Sequence, residues 1–142
     1  MSDYLKVIDV QVLTMLKPEE ILDEVSKPLI RFELENGDEF MMAGVPEDIA
    51  YNISVIINDL DHSDSRLQIH DIVSELAIIE RVEIDLVVPN TTVYQSTIYL
   101  IPEGFENEIS YGMIPSHATL LAILNDAPIF ISEQLIKQTS EL

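Results

Sequence analysis

Cysteine is missing altogether from the 142 residues, which excludes a disulfide framework and any thiolate metal site. Long aliphatic runs are missing too. Although 47% of the chain is hydrophobic, no run approaches the roughly 18–20 residues that span a bilayer. The opening residues MSDYLKVIDV lack the basic flank, apolar block and small-residue cleavage site of a signal peptide. These absences predict a soluble, cytoplasmic protein with no membrane partner. The sequons Asn52-Ile53-Ser54 and Asn90-Thr91-Thr92 then carry no meaning.

Positive charge is scarce. Seven Lys and Arg face 26 Asp and Glu, for a formal net charge of −19, and the bases stand singly along the chain. Nucleic-acid affinity comes largely from clustered bases that displace counterions, and this sequence offers no such stripe. The acidity reads as solubility by self-repulsion.

What is present is a regular alternation of strands and helices, at a length that fits one domain over residues 1–142. Residues 5–16 predict a first strand, and KPEEILDEVSKP, between two prolines, a short helix or ordered excursion. Ile30, Phe32 and Leu34 alternate with charged residues, as in a half-buried strand. Asn36-Gly37 predicts a hairpin. A three-residue or bulged loop that opposes Leu34 to Phe40 and Phe32 to Met42 keeps the apolar residues on one face.

Gly44 ends that hairpin, and Pro46-Glu47-Asp48 starts a helix whose stripe is Ile49, Ile53, Ile56 and Ile57. Ser65 to Gln68 fits a capping box for a second helix, with Ile69, Ile72, Val73 and Leu76 as its buried side. His70 then borders that side and Asp71 faces outward. Val82 to Val88 and Val93 to Ile101 predict two strands around Pro89-Asn90, and Ile109, Tyr111 and Met113 a third. A helix follows from Pro115, then a strand at Ile129–Ile131 and a closing helix capped by Ser132. Three strands followed by VPEDIAYNISVII, then three strands followed by IPSHATLLAIL, make two similar halves. The expected fold is α+β: a mixed sheet with packed helices, built from two related β-β-β-α halves.

The order of elements, together with PSHATLLAILNDAPIFISEQLI, resembles the bifunctional nuclease domain family over roughly Lys6 to Leu135. The family's Arg-Pro-Ser-Asp-Ala helix start is similar to Pro115, Ser116 and Ala118. Its Gly-Ala-Pro-Ile segment and the strand after it are similar to Ala127 to Glu133, and its His-Asp pair resembles His70-Asp71. Ile114 stands where the family has arginine, His117 where it has aspartate, and Gly112 where it usually has an acid. The resemblance implies DNase or RNase activity, with His70, Asp71, Ser116 and His117 as candidate catalytic residues. A divalent metal such as Mg²⁺ or Mn²⁺ would screen the acidic surface and activate water.

Each candidate also has a plainer reading. Adjacent residues at a helix start point apart, so Ser116 can serve the helix start while His117 is exposed on the first turn. A border histidine such as His70 is an ordinary packed side chain. If His70 and His117 met in space, a two-histidine metal or acid–base site would follow. Asp59, Asp61 and Asp64 fail the calcium-loop pattern, with no glycine at the sixth position and His70 at the twelfth. Glu47-Asp48 fits an ordinary helix-dipole feature. The alternative function is a non-catalytic binding or assembly module. Either way, so high an apolar fraction in a small domain predicts a homo-oligomer, in the simplest case a dimer.

Overall fold

The computed structural model of the chain describes residues 3–14, 28–59, 66–87 and 93–140. The first half comprises β1 (Tyr4–Thr14), β2 (Pro28–Leu34), β3 (Glu39–Met42) and α1 (Glu47–Ile57). A connecting helix α2 (Ile69–Leu76) leads to β4 (Ala77–Val87), β5 (Tyr94–Pro102), β6 (Ile109–Met113) and α3 (Pro115–Leu124). The chain closes with β7 (Ile129–Ser132) and α4 (Glu133–Ser140). The interprolyl segment at 17–28, the Pro89-Asn90 turn and the acids Asp61 and Asp64 fall wholly or mostly outside the described residues.

All seven strands join one mixed sheet in the order β3-β2-β1-β7-β4-β5-β6. Each half is an antiparallel meander, and β7 fills the seam, antiparallel to β1 and parallel to β4. The α+β class and the β-β-β-α order of both halves are therefore present. A register shift between Val7 and Asp9 falls where β1 passes from one neighbour to the other. Tyr4 to Lys6 pair with β7, and Val7 to Thr14 pair with β2. Bulges bend a strand and increase its twist. The sheet curls until the ring of Phe40 on β3 lies 5.4 Å from that of Tyr94 on β5, a contact that a flat sheet with ~4.8 Å between strands forbids.

One core runs through both halves. Ile30, Phe32 and Leu34 of β2, Ile53 of α1, Val82 and Ile84 of β4, Ala118 and Ala122 of α3 and Ile131 of β7 are fully buried. The helix α3 is enclosed almost all round, with seven buried residues from Pro115 to Ala122. A helix so placed must be apolar on every side, which is why TLLAIL shows no polar face.

Four local readings differ from the structure. The β2–β3 loop does have three residues, but Leu34 opposes Asp38 and Phe32 opposes Phe40, two residues from the expected register. Parity is kept, so the same side chains stay inside. Gly37, at φ +92°, takes the left-handed conformation that closes this loop. The strand β4 begins at Ala77, five residues before Val82, because a bulge between Ile79 and Arg81 interrupts the alternation that marks a strand.

The other two differences concern α2. Its N-cap is Gln68, whose N–H donates to the Asp71 carboxylate at 3.0 Å, so the capping pair sits three residues beyond Ser65. Three of the four residues of its expected buried stripe face outward, Ile69 at 81% exposed, Ile72 at 47% and Leu76 at 57%, while Val73 packs inward as expected. The helix is turned about a quarter turn from that expectation, so that His70 and Ser74 join Val73 on the side that faces the protein.

Candidate functional site

Polar ties explain the turn of α2. Asn52, buried on α1, exchanges hydrogen bonds with Gln68, Nδ2 to Oε1 at 3.1 Å and Nε2 to Oδ1 at 3.4 Å. At the other end, Asn125 Nδ2 donates to Ser74 Oγ at 2.9 Å, and Ser74 Oγ donates to the His70 carbonyl at 2.8 Å. Buried polar groups must be paired, so these contacts set the rotation of a short helix more strongly than its own apolar stripe does.

The consequence is a cleft of about 440 Å³ between α1, α2 and α3. Asp48, Asn52, Gln68, His70 and His117 supply its polar lining, and Ile49, Val73, Met113, Leu120 and Leu121 form apolar walls. Met113 is held there because Ser96, fully buried, donates to its carbonyl at 2.7 Å. Thr119 Oγ1 donates to the Pro115 carbonyl at 2.7 Å and tightens the first turn of α3, next to His117.

The two histidines, 47 positions apart in sequence, thus line one cleft with a carboxylate at its edge. The His70 side chain is 12% exposed, with Nε2 3.7 Å from Asp71 Oδ1. Asp71 spends its other oxygen on the helix cap, and Ser116 is 4% exposed on the packed side of α3, apart from the cleft-lining residues. Ile114 is 61% exposed at the N-cap of α3. Gly112 lies on β6, where an added Cβ would come 3.3 Å from Gln95 Nε2.

The first turns of three helices border this cleft: Asp48 and Ile49 of α1, the Gln68 cap with Ile69 and His70 of α2, and His117 of α3. Helix starts carry unpaired N–H groups and a partial positive charge. Among the described residues, no group of three or more His, Asp and Glu is placed to hold a metal ion. The cleft offers imidazoles, one carboxylate and helix N-termini; Mg²⁺ and Mn²⁺, which want several oxygen ligands, do not fit what is described.

Sequence reasoning missed Asn52 and Gln68, whose pairing across 16 positions carries no local signal. It also missed a polar cluster on β4 and β5. Thr97 Oγ1 donates to Asp85 Oδ2 at 2.8 Å, while Asp85 Oδ1 is buried without a partner. Burial pushes the Asp85 carboxyl above the usual carboxylate range, against the lowering effect of Thr97. Beside it, Tyr99 donates to Glu83, which raises the phenol's pKa, and Arg81 stacks 3.7 Å over the Tyr99 ring.

Among the described residues no helix is long and apolar enough to cross a membrane. Neither a family model nor a curated protein matches the chain.

Proposed function

We propose that the cleft is a phosphodiester-hydrolysing site of the nuclease kind that the resemblance implies, with His70 and His117 as its acid–base pair. The supporting observation is that α2 and α3 deliver these two side chains to one cleft. An imidazole donates at one nitrogen and accepts at the other. One ring can therefore take the proton of the attacking water while the second protonates the leaving oxygen. The three helix starts favour the negative charge that develops on phosphorus-bound oxygen. Asp71 and Ser116 act in this reading through the starts of α2 and α3. The assay uses single- and double-stranded substrates, with and without Mg²⁺ or Mn²⁺. The double variant His70→Ala, His117→Ala is expected to lose at least about 10²-fold in kcat/KM, the usual contribution of acid–base groups. Undiminished hydrolysis by that variant removes the assignment.

A different observation favours the assembly reading. Leu67, Ile69, Ile72 and Leu76 around α2, Ile78 beside it, and Ile109, Tyr111 and Ile114 near β6 are all exposed. The strand β6 is also a sheet edge whose sequence, ISYGM, has no charge or proline to discourage pairing. Exposed apolar side chains in these numbers on an acidic chain suit subunit contact, so we expect a homodimer. Light scattering at micromolar concentration tests it: a monomer there discards the dimer. Loss of dimer in Ile72→Asp with unchanged circular dichroism places the contact on α2.

A further inference from the structure

The tip of the β2–β3 hairpin holds reactive groups of its own. Asn36 is the asparagine that a glycine follows; the others precede Ile53, Asp59, Thr91, Glu108 and Asp126. We propose that Asn36 is a self-modification site, converted to isoaspartate and aspartate through attack by the Gly37 nitrogen. That nitrogen bonds to the side-chain carbonyl carbon and gives up its proton, and the side-chain nitrogen leaves as ammonia. Water then opens the resulting five-membered imide. Opening at the side-chain carbonyl gives aspartate, and opening at the main-chain carbonyl gives isoaspartate.

The loop favours each step. Asn36 and Gly37 are exposed to water, and Gly37 has no Cβ to obstruct its nitrogen. Asn36 Oδ1 accepts from the Asp38 N–H at 3.0 Å, which folds the side chain back over the Gly37 peptide. The same N–H meets that oxygen as it gains charge in the tetrahedral intermediate. One contact opposes the attack: the Gly37 N–H donates to the Leu34 carbonyl at 2.9 Å. It is a single bond at an exposed tip, and fraying opens it. The helical asparagines are held differently. Asn52 is buried within α1. Asn58 and Asn125 spend their amides on helix carbonyls, and the N–H groups after them donate to Ile56 and Ile123.

The products strain a hairpin that carries core residues. Its strands pair Phe32 with Phe40 and Ile30 with Met42, all buried. Isoaspartate adds a methylene to the backbone of a loop closed by the Leu34 N–H on the Asp38 carbonyl at 2.9 Å. Either product also replaces the bond from Asn36 Nδ2 to the Asp38 carboxylate, at 3.0 Å, with two like charges. The reaction therefore loosens β3, an edge strand of the sheet.

The test incubates the folded full chain in mildly alkaline and mildly acidic buffer and maps its peptides by mass spectrometry. The mass gain of an amide-to-acid change is expected at Asn36 several-fold faster than at any other asparagine, and faster in the alkaline buffer. Carboxyl methylation by an isoaspartate-specific methyltransferase should label the same peptide. Asn36→Ser keeps an acceptor for the Asp38 N–H but has no amide to lose, so it should remain unlabelled. On incubation the original chain should lose Tm, and Asn36→Ser should not. No mass gain at Asn36 in the folded chain overturns the proposal. A gain that gives aspartate alone, with no methyl label, overturns the imide route. Conversion of Asn36 with no loss of Tm overturns the loosening of the hairpin.

Discussion

The helices α1 and α3 end alike and begin differently. Each closes with Asn-Asp: Asn58 and Asn125 have φ −92° and −102°, and Asp59 and Asp126 have φ 51° and 53°. The side chain of each Asn donates back to a carbonyl four residues earlier, Ser54 at 2.9 Å and Leu121 at 2.8 Å. These shared ends satisfy the last carbonyls of a helix. At their starts, α1 has the acids Glu47 and Asp48 and α3 has the buried Ser116 followed by His117. The repeat thus preserves what terminates a helix and varies what faces the cleft. Shared structure marks the fold, and divergence within it marks the candidate chemistry.

The comparison can be broken first in the core. Counted back from the shared ends, Ile53 matches Leu120 and Ser54 matches Leu121. Ile53 is 0% and Leu120 2% exposed, so Ile53→Ala and Leu120→Ala should each cost ~2–5 kcal/mol. Leu121→Ala belongs in that range as well, whereas Ser54→Ala on the half-buried side of α1 should stay within about 0.5 kcal/mol. Urea unfolding of the four variants checks this; a loss at Leu121 as small as that at Ser54 would show that α3 is not enclosed there.

A smaller effect sharpens the shared ends. Asn58→Ala removes one cap hydrogen bond, at about 0.5–1.5 kcal/mol. Asn125→Ala removes the equivalent bond and the tie to Ser74, so its cost should be about twice as large. It should also broaden the His70 ring signals, because Ser74 anchors the His70 carbonyl. Equal costs at the two positions discard the tie as a support of α2.

The smallest expected effect is pH-dependent and belongs to the second half alone. Between its ordinary and its raised pKa, the Asp85 carboxyl keeps a proton in the folded protein that the unfolded chain has released. The folded state then binds more protons, so this group's contribution to stability falls as pH rises through that window. Asp85→Asn should therefore raise Tm at pH 7 and change it little near pH 3, where the carboxyl is protonated in both states. A Tm gain of the same size at both values assigns the effect to packing.

Much of the fold was legible because it follows from local periodicity. Alternation at Ile30 to Leu34 and Val82 to Val88, and Pro46 and Pro115 before apolar helices, set the elements and their order. Bulges were not legible, since an extra residue erases the period-two signal, and β4 lost its first five residues for that reason. The rotation of α2 was not legible either: its sequence has a coherent apolar stripe, and the distant partners Asn52 and Asn125 hold the helix with most of that stripe outward.

The candidate site divides in the same way. Sequence alone determined that the chain has few bases, no thiol ligands, two similar halves and chemistry-bearing residues at the starts of α2 and α3. That His70 and His117 share a cleft was decided by the tertiary structure, because hydrogen bonds across 16 and 51 positions fix the rotation of α2. Side-chain direction on a short helix depends on what ties it down, and those ties lie elsewhere in the chain.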